Sequence, residues 1–127
     1  MSGWITWLAV FIGGGAGSAV RYWLSTLGNR SILHFPWGTL GANLSACLIL
    51  GALIGFYGKY PATHNSWKLL LATGFCGGFS TFSTFALELV APHRVGFPSW
   101  SLPYVFVSML GGGLAIWLGH WAGREFF

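Results

Sequence analysis

Charge is missing from four long stretches of this chain: residues 1–20, 31–58, 69–87 and 95–123 contain no Asp, Glu, Lys or Arg. A helix crosses the hydrocarbon of a bilayer in about 20 apolar residues, so each stretch is long enough to span it. Composition excludes the soluble alternative. Charged residues make up 6% of the 127 and hydrophobic ones 54%, where an ordinary globular domain is about 25% charged. Six Lys/Arg and two Glu cannot furnish a water-facing surface. The chain reads as a single all-α integral membrane domain, residues 1–127, with spans at roughly 4–27, 38–57, 68–90 and 102–121.

The connections at 28–37, 58–67 and 91–101 hold the Pro, His, Asn and most of the charge, as short polar turns should. Trp4, Trp37, Tyr57, Trp67, Trp100 and Trp121 fall near the expected span ends, where amphipathic rings favour the interface. Small residues around Ala16 and Ser18 could suit a signal-peptide cleavage site. No Lys or Arg precedes them, so the first span is expected to be retained.

Several function classes drop out. The cations Arg21, Arg30, Lys59, Lys68, Arg94 and Arg124 are scattered, with no run that could follow a phosphate backbone, so no nucleic-acid partner is expected. Cys47 and Cys76 lack the spacing of a metal pair and read as inert apolar residues. The two carboxylates, Glu88 and Glu125, sit near span ends, which leaves no acid/base pair within the bilayer. His34, His64, His93 and His120 have no ligand spacing and read as interfacial. No enzyme emerges.

With four spans, Lys59, Lys68 and Arg124 share one side, and Arg21, Arg30 and Arg94 the other. Balanced cations give the positive-inside rule nothing to act on. That permits insertion both ways up and an antiparallel homodimer; the alternative is one orientation set by other features. Small residues four apart recur in every span (Gly13/Gly17, Gly51/Gly55, Gly74/Gly78, Gly111/Ala115), a pattern of close helix packing and oligomerisation.

Polar groups at membrane depth are costly and mark function by default. Arg21 is either an interfacial anchor or a cation drawing anions into a vestibule. Thr39 and Asn43 share a helical face, and the Asn43 amide either keeps its donors free for an anion or closes an interhelical hydrogen bond. The third span, Gly74-Phe75-Cys76-Gly77-Gly78-Phe79-Ser80-Thr81-Phe82-Ser83-Thr84-Phe85, sets adjacent glycines and four hydroxyls mid-membrane. Such a segment suggests a helix break whose freed backbone groups find partners inside protein. Its phenylalanines form one helical stripe beside a hydroxyl track, and ring edges together with hydroxyl donors suit a small anion. Tyr104 and Ser108 put two more hydroxyls on one face of the fourth span.

Gly13-Gly14-x-x-Gly17-Ser18-x-x-Arg21-Tyr22, Gly38-Thr39-Leu40-x-x-Asn43 and the third-span segment resemble the three signatures of the bacterial fluoride channels, the Fluc or CrcB family. The resemblance implies a dual-topology antiparallel dimer of four-helix subunits in the bacterial inner membrane, surrounded by lipid. It would export cytoplasmic fluoride passively through pores along the subunit interface. Carried onto this chain, Phe82 and Phe85 would be the pore phenylalanines and Asn43 the pore amide. Thr39, Ser83, Thr84, Tyr104 and Ser108 would supply hydroxyls, and Arg21 would face a vestibule. A structural Na⁺ at the dimer centre would bind backbone carbonyls of Gly77 and Ser80 from both subunits. The chain has Ser18 where the family commonly has Ala, Ala42 for Val, Ser80 for Thr, and Ala46 for a Gly. The alternative function is a small multidrug-type proton-coupled exporter, which would want a membrane-embedded carboxylate that the first span lacks.

Overall fold

A computed structural model describes residues 3–28, 34–60, 65–90, 96 and 98–126. Within them the chain is helical, with no strand. Helix α1 covers Gly3–Gly28 and α2 covers Trp37–Lys59. The third span comprises α3, residues 65–79, and α4, Phe82–Val90; α5 covers Ser101–Glu125. Four segments (Gly3–Gly28, Trp37–Lys59, Ser66–Val90 and Ser101–Glu125) are long and apolar enough to cross a membrane. The spans expected from sequence lie within them. Arg30, His64, His93 and Arg94 lie outside the described residues.

Local chemistry sets the starts of α2 and α5. Pro36, at φ −80°, precedes Trp37, and proline fixes φ near helical values while lacking an N–H. Pro103 lies in the first turn of α5, where a missing N–H breaks no helical bond. Tyr104 N–H then closes the first turn onto the Trp100 carbonyl at 2.9 Å.

Helix α2 lies along α5, and α1 along α3. Both pairings are backbone-close. A Cβ on Gly17 would collide with the Phe75 carbonyl, and one on Gly119 with the Leu48 carbonyl. Lipid removes the hydrophobic drive for association, so close van der Waals contact between helices takes its place. The small-residue stripes of the first three spans therefore serve close helix packing within the chain, the first of the two uses their spacing suggests. Large apolar side chains such as Trp7, Phe11, Leu102 and Leu110 point outward, as a lipid-facing surface requires.

The third span is irregular in two ways. Leu69–Cys76 is π-wound, and such widened turns concentrate at functional sites. Gly77 stays helical at φ −64°, ψ −39°, whereas Ser80 adopts φ −77°, ψ 155°. Helical geometry resumes at Phe82.

Candidate functional site

Ser80 and Thr81 interrupt the regular hydrogen bonding of the third span, and side chains from two other helices take up the released groups. Asn43, on α2, grips Thr81 twice: its Oδ1 accepts the Thr81 N–H at 2.7 Å and its Nδ2 donates to the Thr81 carbonyl at 3.2 Å. Of the two roles open to this amide, it makes the interhelical hydrogen bond, and one of its two Nδ2 hydrogens remains for another acceptor. The Thr81 hydroxyl caps α4, accepting the Thr84 N–H at 3.2 Å and donating to Thr84 Oγ1 at 3.0 Å. Ser83 Oγ lies 3.3 Å from the same hydroxyl.

On α1, Arg21 Nε donates to the Gly78 carbonyl at 3.2 Å, and Ser18 Oγ donates to the same oxygen at 3.4 Å. Gly78 sits near the end of α3, where carbonyls lose their helical partners. Arg21 is thus tied to the third span. Ser18 adds a second donor that an alanine could not.

Beside this knot runs a groove of about 340 Å³, walled by Asn43, Ser80, Thr81, Phe82, Phe85 and Ser108. The Phe82 and Phe85 ring centroids are 5.9 Å apart at 42°. Phe85 is 5% exposed and Phe82 74%, so one ring lines the interior and the other stands at the open side of the groove. Ser108 Oγ is buried and has no hydrogen-bond partner among the described residues. A buried hydroxyl left unsatisfied costs about 1–3 kcal/mol.

Phe85 leads on to a second polar cluster, its ring centroid 5.0 Å from that of Tyr104. There Glu88 accepts hydrogen bonds from both fully buried neighbours: Thr39 Oγ1 to Oε1, and Tyr104 OH to Oε2 at 2.7 Å. Two of the expected track hydroxyls therefore donate to a carboxylate. Its position near a span end had set Glu88 apart from the track. The available signal was its standing as the one charge within residues 69–93, on the same face as Thr84 one turn earlier. Thr81 is the other such residue: the sequence places it in the hydroxyl run, and the fold makes it the pivot held by Asn43.

A second hollow, about 230 Å³, has Cys76, Gly77 and Ser80 in its wall. The N–H groups that would serve the Gly77 and Ser80 carbonyls in a continuous helix belong to Thr81 and Thr84, and these are diverted to Asn43 Oδ1 and Thr81 Oγ1. Those two N–H groups are thus not available to the Gly77 and Ser80 carbonyls. Among the described residues no cluster of three or more His, Cys, Asp or Glu side chains could hold a metal ion.

Residues 8–120 match the family described as CrcB-like protein, Camphor Resistance (CrcB). The chain belongs to the CrcB family. The CrcB match begins in α1 and ends in α5, so the groove, the Glu88 cluster and the Gly78 contacts all lie inside it. Among curated relatives, "Fluoride-specific ion channel FluC" of Klebsiella pneumoniae (strain 342) is 44% identical over 114 residues, covering 87% of this chain and 90% of that protein. The protein of the same name from Enterobacter sp. (strain 638) is 44% identical over 115 residues, covering 87% and 91%. That from Proteus mirabilis (strain HI4320) is 41% identical over 118 residues, covering 93% and 95%.

Proposed function

We propose that this chain is a passive fluoride channel of the bacterial inner membrane, conducting along the groove between Asn43, Phe82, Phe85 and Ser108 when a second, antiparallel copy covers it. Its CrcB relatives carry the name of fluoride-specific ion channels. The observation that carries the reading is a groove edged by two phenylalanines and walled by Asn43 and Ser108, the Ser108 hydroxyl being buried without a partner among the described residues. Fluoride is small and strongly hydrated, so a pore must replace its water with close donors. Hydroxyls, an amide N–H and the positive edges of aromatic rings do so in a narrow lumen.

From the Phe82–Phe85 pair an ion would pass to the hydroxyl track. Ser83 and Thr84 flank its start. Thr39 and Tyr104 would lend their hydroxyls in turn, each exchanging Glu88 for fluoride. The Glu88 carboxylate repels an anion at that end, which keeps binding weak enough for release. Arg21 would contribute positive potential to a vestibule from its place over Gly78. The exporter alternative would rest on Glu88, the one carboxylate in a polar cluster of the spans, but its CrcB relatives are named as channels.

The antiparallel dimer is supported by the balanced cations and by an exposed Phe82 standing beside an open polar groove. In this reading the third span is a broken helix whose released Gly77 and Ser80 carbonyls, from both copies, hold a structural Na⁺. Neutral backbone oxygens freed by unwinding suit that hard cation. The ion would supply a fixed positive charge joining the two subunits.

Liposomes loaded with potassium fluoride and treated with a potassium ionophore test this, with external fluoride read by electrode. Rapid fluoride release is expected. No release, or release only when coupled to protons, contradicts the proposal.

A further inference from the structure

The ends of α2 and α5 come together at one end of the bundle, away from the groove. Gly55 and Gly123 let the two backbones close: a Cβ on Gly55 would strike the His120 carbonyl, and one on Gly123 the Ala52 carbonyl. Beyond this contact a cavity of about 380 Å³ opens, walled by Gly55, Gly58, Lys59, His120, Arg124 and Glu125. Gly58 is one of the lining residues, and a Cβ there would meet nothing within 4 Å, so a larger side chain has room at this wall.

The wall is cationic and partly fixed. Lys59 Nζ donates to the Arg124 carbonyl at 3.3 Å and lies 5.9 Å from the centroid of the Tyr60 ring. The Arg124 guanidinium makes no hydrogen bond or ion pair among the described residues. Against these two cations stands one carboxylate, Glu125, and His120 adds a ring N–H donor. Depth is marked by Trp121 and Phe126, both exposed, with ring centroids 5.7 Å apart at 90°. Exposed Trp at a span end belongs at the headgroup level.

We propose that this cavity binds the phosphodiester of an anionic phospholipid headgroup. A guanidinium fork and an ammonium from two lining residues suit the two free oxygens of a phosphodiester. Basic pockets between membrane helices recognise anionic headgroups in this way. The aromatic pair sets the cavity at lipid depth, which favours a headgroup over a soluble phosphate. The site shares no residue with the groove, so it stands or falls independently of fluoride conduction.

Native mass spectrometry of the full-length protein in neutral detergent, with phosphatidylglycerol or phosphatidylcholine added, tests the site. Phosphatidylglycerol is expected to be retained about fivefold or more over phosphatidylcholine, the preference expected from one surplus cation. Lys59→Gln with Arg124→Gln should abolish that preference. Gly58→Leu should abolish it too, by filling the cavity at unchanged charge, and this variant suffices should the double substitution fail to fold. Equal retention of the two lipids overturns the proposal. So does a full preference in Gly58→Leu, which would mean diffuse attraction without a site. Displacement of phosphatidylglycerol by millimolar inorganic phosphate would assign the cavity to a soluble anion and overturn the headgroup.

Discussion

Asn43 holds both backbone groups of Thr81, so any change at 43 acts on the shape of the third span as well as on the ion. In Asn43→Asp one oxygen still accepts the Thr81 N–H, but the other faces the Thr81 carbonyl, acceptor against acceptor. The unsatisfied pair costs about 1–3 kcal/mol, and the added negative charge opposes an anion. Fluoride efflux is expected to fall at least about a hundredfold, equivalent to roughly 2.7 kcal/mol on the barrier, with a lower unfolding midpoint in detergent. Phe82→Ile separates the two effects. That ring is 74% exposed in the single chain, so efflux should drop while the thermal midpoint stays unchanged. Asn43, Phe82 and Ser108 were legible in sequence because polar or aromatic groups in apolar spans stand out. Glu88 was not. Its pairing with Thr39 and Tyr104 joins residues 49 and 16 positions away, and only the fold brings them together.

Helix contacts make a different prediction along α5. Gly119 meets the Leu48 carbonyl, while a Cβ on Gly113 would find open space. Gly119→Val is expected to lower stability by about 1–3 kcal/mol through backbone overpacking, and Gly113→Ala to leave it unchanged. Unfolding midpoints of the two variants in the same detergent check this. The four helices could be read from charge-free runs because a bilayer tolerates few charges over that length. The third span was legible only as an irregular segment. Its adjacent glycines invite a break, yet Gly78 packs against Gly14 of α1, and that neighbour keeps the pair helical. The departure falls at Ser80, where Asn43 offers the next residue an alternative partner. The π-wound turns of Leu69–Cys76 have no signal in local sequence that we can identify.

For the whole molecule, orientation rests on charge. Lys59, Lys68 and Arg124 balance Arg21, Arg30 and Arg94, so insertion both ways up is expected. Tags placed at both termini should be accessible from each face of the membrane in comparable amounts; one-sided labelling would remove the antiparallel arrangement. Adding two lysines within residues 61–64 should convert the population to a single orientation and abolish fluoride efflux, since copies of one orientation cannot form the antiparallel pair. The membrane class was legible from composition alone, whereas the proposed covering of the groove would depend on a surface that a single chain leaves exposed.

Current through single channels in a planar bilayer tests most directly whether the groove at Phe82, Phe85, Asn43 and Ser108 conducts fluoride. Under opposing fluoride and chloride gradients, the wild-type current should reverse at the fluoride equilibrium potential, and Ser108→Ala should lower its amplitude without moving that potential. A current reversing at the chloride potential, or one unaffected by changes at both Phe82 and Ser108, would contradict a fluoride path through this groove.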